Sequence, residues 1–237
     1  MIQTEILMIP VLFLPGLLCD ADLWRSQIDG LSDIVAPSIA DLTLDDSITD
    51  MAARALTSAP PRFALVALSM GGYVAFEILR QAPDRVIRLA LLDTSAAPDT
   101  SERSQARHNA IKSLEMGKFR GVTSKLLPLL LHPENIDSPV ALKVKAMAER
   151  VGGAAFVRQQ RAILSRLDSR PTLKHIDVPT LVAVGAEDLI TPPSQAAEIQ
   201  SNISGAQMHV FKDCGHLPAL EKPEETTDLL SGWLRSA

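Results

Sequence analysis

The sequence predicts an α/β fold, in which a mostly parallel sheet is flanked by helices and interrupted by one helical insertion. Towards both ends of the chain, short apolar runs alternate with segments of helical spacing, which is typical of a parallel sheet buried on both faces. Between residues 97 and 171 the alternation stops and only helical segments follow one another. With 237 residues, the chain has the length of one such domain with an insertion.

About six strands are expected, each a short run bounded by Pro, Gly or polar residues. The predicted strands are residues 7–14, 33–39, 63–68, 86–92, 178–185 and 207–211. Helical spacing follows most of them, because apolar residues recur on one face at intervals of three and four. The predicted helices are residues 47–58, 72–81, 192–200 and 224–234 around the sheet, and 101–116, 122–131, 139–151 and 154–167 in the insertion.

Composition argues against several function classes. A formal net charge of −5 and the lack of a basic run make nucleic acid and anionic membranes unsuitable partners. Cys19 and Cys214 are far apart and favour neither a disulfide nor a metal pair, which indicates a reduced, cytoplasmic setting. The apolar run at 6–18 is too short to span a bilayer and no Lys or Arg precedes it, so no signal peptide is expected. The motifs call for neither a metal nor a cofactor.

One segment predicts a nucleophile. Residues 63–68 form an apolar strand that rises to Ser69 and passes at once into Met70, Gly71 and a helical pattern. A serine at such a tight turn projects from the backbone, and the N–H groups of the following helix favour negative charge beside it. A helix-capping serine in an ordinary strand–turn–helix is the alternative, so the interpretation depends on a base and an acid elsewhere.

Two later segments supply candidates for that base and acid. Asp188 follows the predicted strand 178–185, with Glu187 as a rival, and the carboxyl end of a strand is where open α/β sheets place functional groups. His216 lies in a loop of small residues after the last predicted strand. An acid that orients a histidine, which in turn deprotonates a serine, is the arrangement that activates a weak hydroxyl nucleophile.

These segments resemble the α/β-hydrolase superfamily. The shared features are the small-x-Ser-x-Gly turn around Ser69, the strand followed by Gly-x-x-Asp at Asp188, and Asp-x-Gly-His at His216, in that chain order. The resemblance covers nearly the whole chain. It implies the α/β-hydrolase fold, with a core of residues 1–96 and 172–237 and a helical cap of residues 97–171. It also implies a carboxylesterase-like serine hydrolase with a Ser69–His216–Asp188 triad.

The resemblance also implies an oxyanion hole. In the family, His-Gly follows an early strand, and Pro15-Gly16 stands there in this chain. The expected donors are the backbone N–H groups of Leu17 and Met70, with Leu18 as the alternative to Leu17. Backbone donors tolerate a change of neighbouring side chain, so the chemistry should survive the proline.

Three functions are compatible with this resemblance. The first is hydrolysis of small carboxylic esters through an acyl-enzyme. The second keeps the triad for C–C bond hydrolysis, enol-lactone hydrolysis or a lyase reaction of the menaquinone-pathway type. The third is a non-catalytic ligand-binding protein.

Four arginines in the expected cap would serve an acidic substrate if they faced the pocket, although a solvated helix face is the commoner role. They are Arg103, Arg107, Arg158 and Arg161. The expected pocket wall is Met116, Phe119, Leu126, Leu127 and Leu130.

Overall fold

The computed structural model describes residues 8–116 and 121–236, and in that part of the chain six parallel strands form one sheet. The strands are β1 Ile9–Leu14, β2 Val35–Ile39, β3 Phe63–Leu68, β4 Val86–Leu92, β5 Thr180–Gly185 and β6 Gln207–Phe211. Their order is β2-β1-β3-β4-β5-β6, so the direction of winding reverses between β1 and β3. The crevice at the carboxyl ends of strands beside such a reversal is where open α/β sheets bind ligands.

Helices cover both faces of this sheet. Within the described residues they are α1 Arg25–Gly30, α2 Ile48–Ser58, α3 Met70–Gln81, α4 Ser101–Glu115, α5 Leu127–Leu130, α6 Pro139–Leu164, α7 Arg170–Leu173, α8 Pro193–Asn202, α9 Pro218–Glu221 and α10 Pro223–Arg235. Helices α2, α3 and α8 pack on one face, and α10 packs on the other. The segment between β4 and β5 is helical, as predicted.

Strand β3 shows why its sequence is apolar throughout. Leu65 and Ala67 face the cluster that contains α2 and α3, whereas Ala64, Val66 and Leu68 face the cluster that contains α10. All six residues of β3 are fully buried. A strand covered on both faces has no position for a polar side chain, so a continuous apolar run replaces the usual alternation.

Several element bounds differ from the prediction for local reasons. The helix expected at 122–131 is only α5, because Pro128 has no N–H and its ring excludes further helix before it. The helices expected at 139–151 and 154–167 form one element, α6, with a kink at Gly152, where φ is 75°. The short helices α1 and α9 were not predicted, since neither is long enough to display a periodic apolar face.

The expected division into a core (1–96 and 172–237) and a cap (97–171) stays a prediction. Helix α7, Arg170–Leu173, crosses the expected boundary, and its Leu173 is buried in the cluster on the α3 face of the sheet. Throughout the described chain, no helix is both long and apolar enough to cross a membrane.

Candidate active site

Ser69 occupies a strained turn between β3 and α3. Its backbone has φ 55° and ψ −115°, a conformation that costs of order 1–3 kcal/mol and persists only when neighbouring structure holds it. The Ser69 N–H donates to Leu92 O at 3.0 Å, and its carbonyl accepts from the Thr94 hydroxyl at 2.7 Å. A Cβ at Gly71 would lie 2.2 Å from Leu14 O, so the turn requires glycine there. The neighbouring strands therefore hold Ser69 in a projecting position.

Ser69, His216 and Asp188 form a continuous hydrogen-bonded chain. His216 Nε2 lies 2.8 Å from Ser69 Oγ, and His216 Nδ1 lies 2.8 Å from Asp188 Oδ2. Ser69 is 9% exposed, His216 3% and Asp188 2%, so the chain is shielded from water except at the serine. The three residues that the sequence singled out, which are far apart in the chain, are thus within hydrogen-bond distance in the order that nucleophilic catalysis needs.

Asp188 is held as a carboxylate. Its Oδ1 accepts from the N–H groups of Ile190 and Thr191, at 2.8 and 3.1 Å, and its Oδ2 accepts from the Thr191 hydroxyl at 2.7 Å. Burial alone would raise the pKa of Asp188. The charge and hydrogen bond of His216, together with the hydrogen bonds from Thr191, lower this pKa below its usual value. The rival, Glu187, accepts instead from the Cys214 N–H at 2.9 Å.

Two backbone donors beside Ser69 are unused. Within residues 8–116 and 121–236, neither the Leu17 N–H nor the Met70 N–H has a hydrogen-bond partner. The Leu18 N–H, which the sequence left as an alternative, donates to Gln159 Oε1 at 3.1 Å, and Gln159 Nε2 donates to Leu42 O at 3.1 Å. Gln159 was not singled out from the sequence, because its partners lie in distant segments. Its contact favours Leu17 over Leu18 as the oxyanion donor.

Asp93 lies behind the triad and was also not singled out. It follows β4, has φ 45° and is fully buried. Its Oδ1 accepts from the Gly185 N–H at 2.9 Å, whereas its Oδ2 is buried without a hydrogen-bond partner among the described residues. Burial, followed by the nearby charge of Asp188, raises the pKa of Asp93 well above its usual value. The raised pKa favours the neutral, protonated form of Asp93 beside the Asp188 carboxylate.

The substitution Asp93→Asn is expected to change how stability depends on pH. A carboxyl with a raised folded-state pKa keeps its proton in the native state. The free energy of unfolding therefore falls as pH rises from the unfolded pKa, about 3.9, to the folded pKa. Asparagine does not titrate. Across that pH window, the free energy of unfolding of the variant should therefore rise relative to that of the parent by up to ~1.4 kcal/mol per pH unit. Urea unfolding at a series of pH values, with exposed Asp84→Asn as control, measures it. A difference that is constant with pH would contradict a protonated Asp93.

Glu221, in α9, braces the loop that carries His216. Its Oε1 accepts from the N–H groups of Gly215 and Leu217, at 3.0 and 3.3 Å. Its Oε2 accepts from the His132 N–H at 2.7 Å and from Asn135 Nδ2 at 3.0 Å. A single buried carboxylate thus ties the histidine loop to the segment that follows α5.

Among the residues that the structure describes, two groups of acidic and histidine side chains come close enough to hold a cation. In the group of Asp93, Asp188 and His216, the ligand atoms of Asp188 and His216 are already paired with each other. The second group, His132, Glu187 and Asp213, lies nearer the surface, where exposed acidic groups cluster without any ion. Neither group alters the hydrogen-bonded arrangement at Ser69.

Ser69 and His216 open onto a cavity of about 310 Å³. Most of its wall is aliphatic, and the segment between β4 and β5 supplies much of it: Val122, Leu126, Leu129, Leu130, Val144, Phe156 and Ile163. Two of the expected wall residues, Leu126 and Leu130, therefore do line it. Leu127 is buried away from it, Met116 is exposed, and Phe119 lies outside the described residues.

One of the four cap arginines lines this cavity. It is Arg107, on α4. Arg103 donates to the backbone carbonyl of Ile190, and Arg158 donates to that of Thr43 at 2.7 Å, while Arg161 is exposed at the surface. All four arginines lie in predicted helices, so the sequence pattern did not distinguish their roles.

Comparison with known proteins places the chain in a family. The model of the alpha/beta hydrolase family matches residues 11–229. A curated relative, the pimeloyl-[acyl-carrier protein] methyl ester esterase of Neisseria meningitidis serogroup B, is 29% identical over 178 residues, which are 70% of this chain and 68% of that protein.

Solved structures agree with this assignment. A thermophilic esterase from Thermogutta terrifontis, with malate bound, has a TM-score of 0.86 and 28% identity, over 96% of this chain and 89% of that chain. The enol-lactonase from Burkholderia xenovorans LB400 has a TM-score of 0.85 at 22% identity, over 97% of this chain and 92% of that chain, and shows the shared fold alone. The chain belongs to the alpha/beta hydrolase family. It is a hydrolase enzyme, and esterases are among its relatives.

Proposed function

We propose that this protein hydrolyses small carboxylic esters, with Ser69 as nucleophile, His216 as general base and acid, and Asp188 as the group that orients His216. The observation that carries the proposal is the unbroken chain of 2.8 Å hydrogen bonds from Asp188 through His216 to Ser69 Oγ, at the edge of a cavity. The relatives named esterases support an ester over other carbonyl substrates.

The geometry of the site supports the following reaction. His216 Nε2 takes the proton of Ser69 as Oγ attacks the ester carbonyl, and Asp188 stabilises the imidazolium that forms. The unpaired N–H groups of Leu17 and Met70 bind the oxyanion of the tetrahedral intermediate. The protonated His216 then gives its proton to the departing alcohol, which leaves an acyl group on Ser69. Water, deprotonated by His216, releases the acid and restores the hydroxyl.

The cavity limits the size of the substrate. Its volume, about 310 Å³, is at the lower end of the range for small-molecule sites, and its wall is mainly aliphatic. A short or medium acyl chain fits this space, because its burial gains about 0.8 kcal/mol for each CH₂ group. Esters of short acids are therefore the best first substrates.

Covalent labelling tests the assignment of Ser69. A fluorophosphonate should react with one serine per chain, and mass spectrometry should find the label on the peptide that contains Ser69. An activated serine reacts because its base removes the proton, whereas an ordinary hydroxyl does not. The control variant Ser201→Ala, on the surface of α8, should label like the parent. Label on another serine, or none at all, would argue for a different site or for a non-catalytic binding protein.

A further inference from the structure

Arg107, Gln160 and Tyr73 line the cavity together with Ser69 and His216, and we call these three residues its polar wall. Gln160 and Tyr73 are more than nine-tenths buried, so little of either side chain reaches bulk water. Among the described residues that line the cavity, Arg107 carries the only permanent charge, and no acidic side chain contributes to the wall. This polar wall is distinct from Ser69 and His216, and the ester chemistry proposed above does not use it.

The unused groups of the polar wall are hydrogen-bond donors. Arg107 Nε donates to Asp99 Oδ2 at 2.6 Å, and Arg107 Nη1 donates to Gln160 Oε1 at 2.8 Å. The remaining groups are Arg107 Nη2, Gln160 Nε2 and the Tyr73 hydroxyl, and none has a partner within the part of the chain that the structure describes. A ligand group that accepts several hydrogen bonds would satisfy all three.

The cluster behind the wall has an excess of positive charge. The Asp99 carboxylate is shared by two guanidinium groups, since Arg166 Nη2 also donates to it, at 2.9 Å. The side chains of Asp99, Arg166 and Arg107 are 4%, 5% and 18% exposed. Burial would raise the pKa of Asp99, but hydrogen bonds from Arg166 and Arg107 outweigh it, so the carboxyl is ionised. Two cations and one anion leave one positive charge, little screened by water.

Arg166 also fixes the position of Tyr73. Its guanidinium carbon lies 4.4 Å from the centre of the Tyr73 ring, a cation–π contact. Arg166 Nη1 donates to Ile163 O and its Nη2 also donates to Ala97 O, so the guanidinium is anchored to backbone on two sides. The donors of the polar wall are therefore held in place before a ligand arrives, which lowers the entropic cost of binding.

We propose that Arg107, Gln160 and Tyr73 form a subsite for a carboxylate carried by the ester, so that the preferred substrates are small esters with a free carboxylate, such as half-esters of dicarboxylic acids. The proposal rests on the ester hydrolysis proposed above and adds the class of substrate. A carboxylate accepts several hydrogen bonds, matches the planar guanidinium and compensates the excess positive charge. A neutral ester of the same length offers fewer acceptors and leaves that charge uncompensated.

The experiment compares paired esters that have one ester group each, in which a carboxamide replaces the free carboxylate in the neutral member. On the acyl side the pair is monomethyl glutarate and methyl 4-carbamoylbutanoate, and on the alcohol side it is 3-acetoxypropanoate and 3-acetoxypropanamide. Hydrolysis is followed in a pH-stat, and the measured quantity is the ratio of kcat/KM for the charged ester to that for the neutral one. We expect a ratio of about 10 or more in at least one pair, because charge-assisted hydrogen bonds replace neutral contacts. The pair that shows it identifies the part of the ester that carries the carboxylate.

The variant Arg107→Met tests the subsite itself. It leaves Asp99 paired with Arg166, so the cluster becomes neutral without an unpaired buried charge, and the melting temperature checks the fold. The ratio should fall by about tenfold to a hundredfold. Arg62→Met, which removes one exposed charge elsewhere, should leave the ratio unchanged. Glutarate should inhibit p-nitrophenyl acetate hydrolysis by the parent competitively, and Arg107→Met should weaken this inhibition.

Two results would overturn the subsite. One is a ratio near or below 1 in both pairs for the parent enzyme, and the other is a ratio that Arg107→Met does not alter. Failure of the underlying ester hydrolysis has a different signature, since the parent would then hydrolyse none of the esters or Ser69→Ala would hydrolyse them as fast as the parent. If turnover depends on Ser69 but the ratio is flat, only the carboxylate subsite is wrong.

Discussion

Replacement of Ser69 by alanine is expected to lower kcat/KM for p-nitrophenyl acetate by at least about 10⁴-fold, because removal of the nucleophile disables the whole triad. Loss of the nucleophile eliminates the acyl-enzyme route, since His216 Nε2, 2.8 Å from Ser69 Oγ, then has no proton to remove. A residual rate above that in buffer should remain, because the Leu17 and Met70 N–H groups can still stabilise an oxyanion.

The fold should survive this substitution. Alanine keeps the Cβ of serine and meets the same backbone cost at φ 55°, so the melting temperature is expected to change little. The matched control is Ser201→Ala, which removes an exposed hydroxyl whose hydrogen bonds, to Glu198 O and from Asn202 Nδ2, lie within α8. A Ser69→Ala enzyme that hydrolyses the ester as fast as the parent would refute the proposed nucleophile.

The second large effect is expected for Glu221→Ala. Its carboxylate accepts from four N–H donors, including those on both sides of His216, at Gly215 and Leu217, and from the Cys214 thiol. Alanine would leave these donors without their acceptor in a buried region, which should lower the free energy of unfolding by about 3 kcal/mol or more. Because the loop positions His216 against Ser69, kcat should fall by roughly 10- to 100-fold, the cost of a displacement of about 1 Å.

Two further variants separate positioning from general destabilisation. Glu221→Gln keeps one carbonyl oxygen, so it should restore part of both the stability and the kcat. The recovery should be partial, because the NH₂ group of glutamine is itself a donor and cannot accept from the N–H groups that it meets. Glu224→Ala, three residues later and exposed in the first turn of α10, should change the free energy of unfolding by less than about 0.5 kcal/mol. Denaturant unfolding and the kcat for p-nitrophenyl acetate measure both effects. A Glu221→Ala enzyme with the kcat and stability of the parent would mean that other contacts hold the loop.

The parallel sheet could be predicted because its signals are local. Phe63–Leu68 is buried on both faces, and such a strand contains only apolar residues wherever it occurs. Ser69 was recognisable for the same reason, since the turn needs small neighbours within two residues and the helix begins immediately after it. Local steric requirements restrict the residue types at such positions, so they can be read from the sequence even when the partners of a segment are unknown.

Choices between neighbouring residues depended on the family resemblance alone until the folded chain showed their contacts. Glu187 and Asp188 are both acidic and follow the same strand, yet Asp188 faces His216 whereas Glu187 accepts from the Cys214 N–H. The direction of a side chain after a strand depends on backbone angles that composition does not reveal. Likewise, Leu17 and Leu18 are identical residues, and only the bond from Leu18 N to Gln159 distinguishes their N–H groups.

The sequence by itself determined the α/β class, the parallel strands and the choice of Ser69, His216 and Asp188, because each depends on patterns within a few positions. Only the tertiary structure decided the roles of Asp93, Gln159, Glu221 and Arg107. The contacts of each come from segments far apart in the chain, such as the 141 positions between Leu18 and Gln159. Burial and charge at such sites arise from which segments meet, and that is a property of the packed molecule.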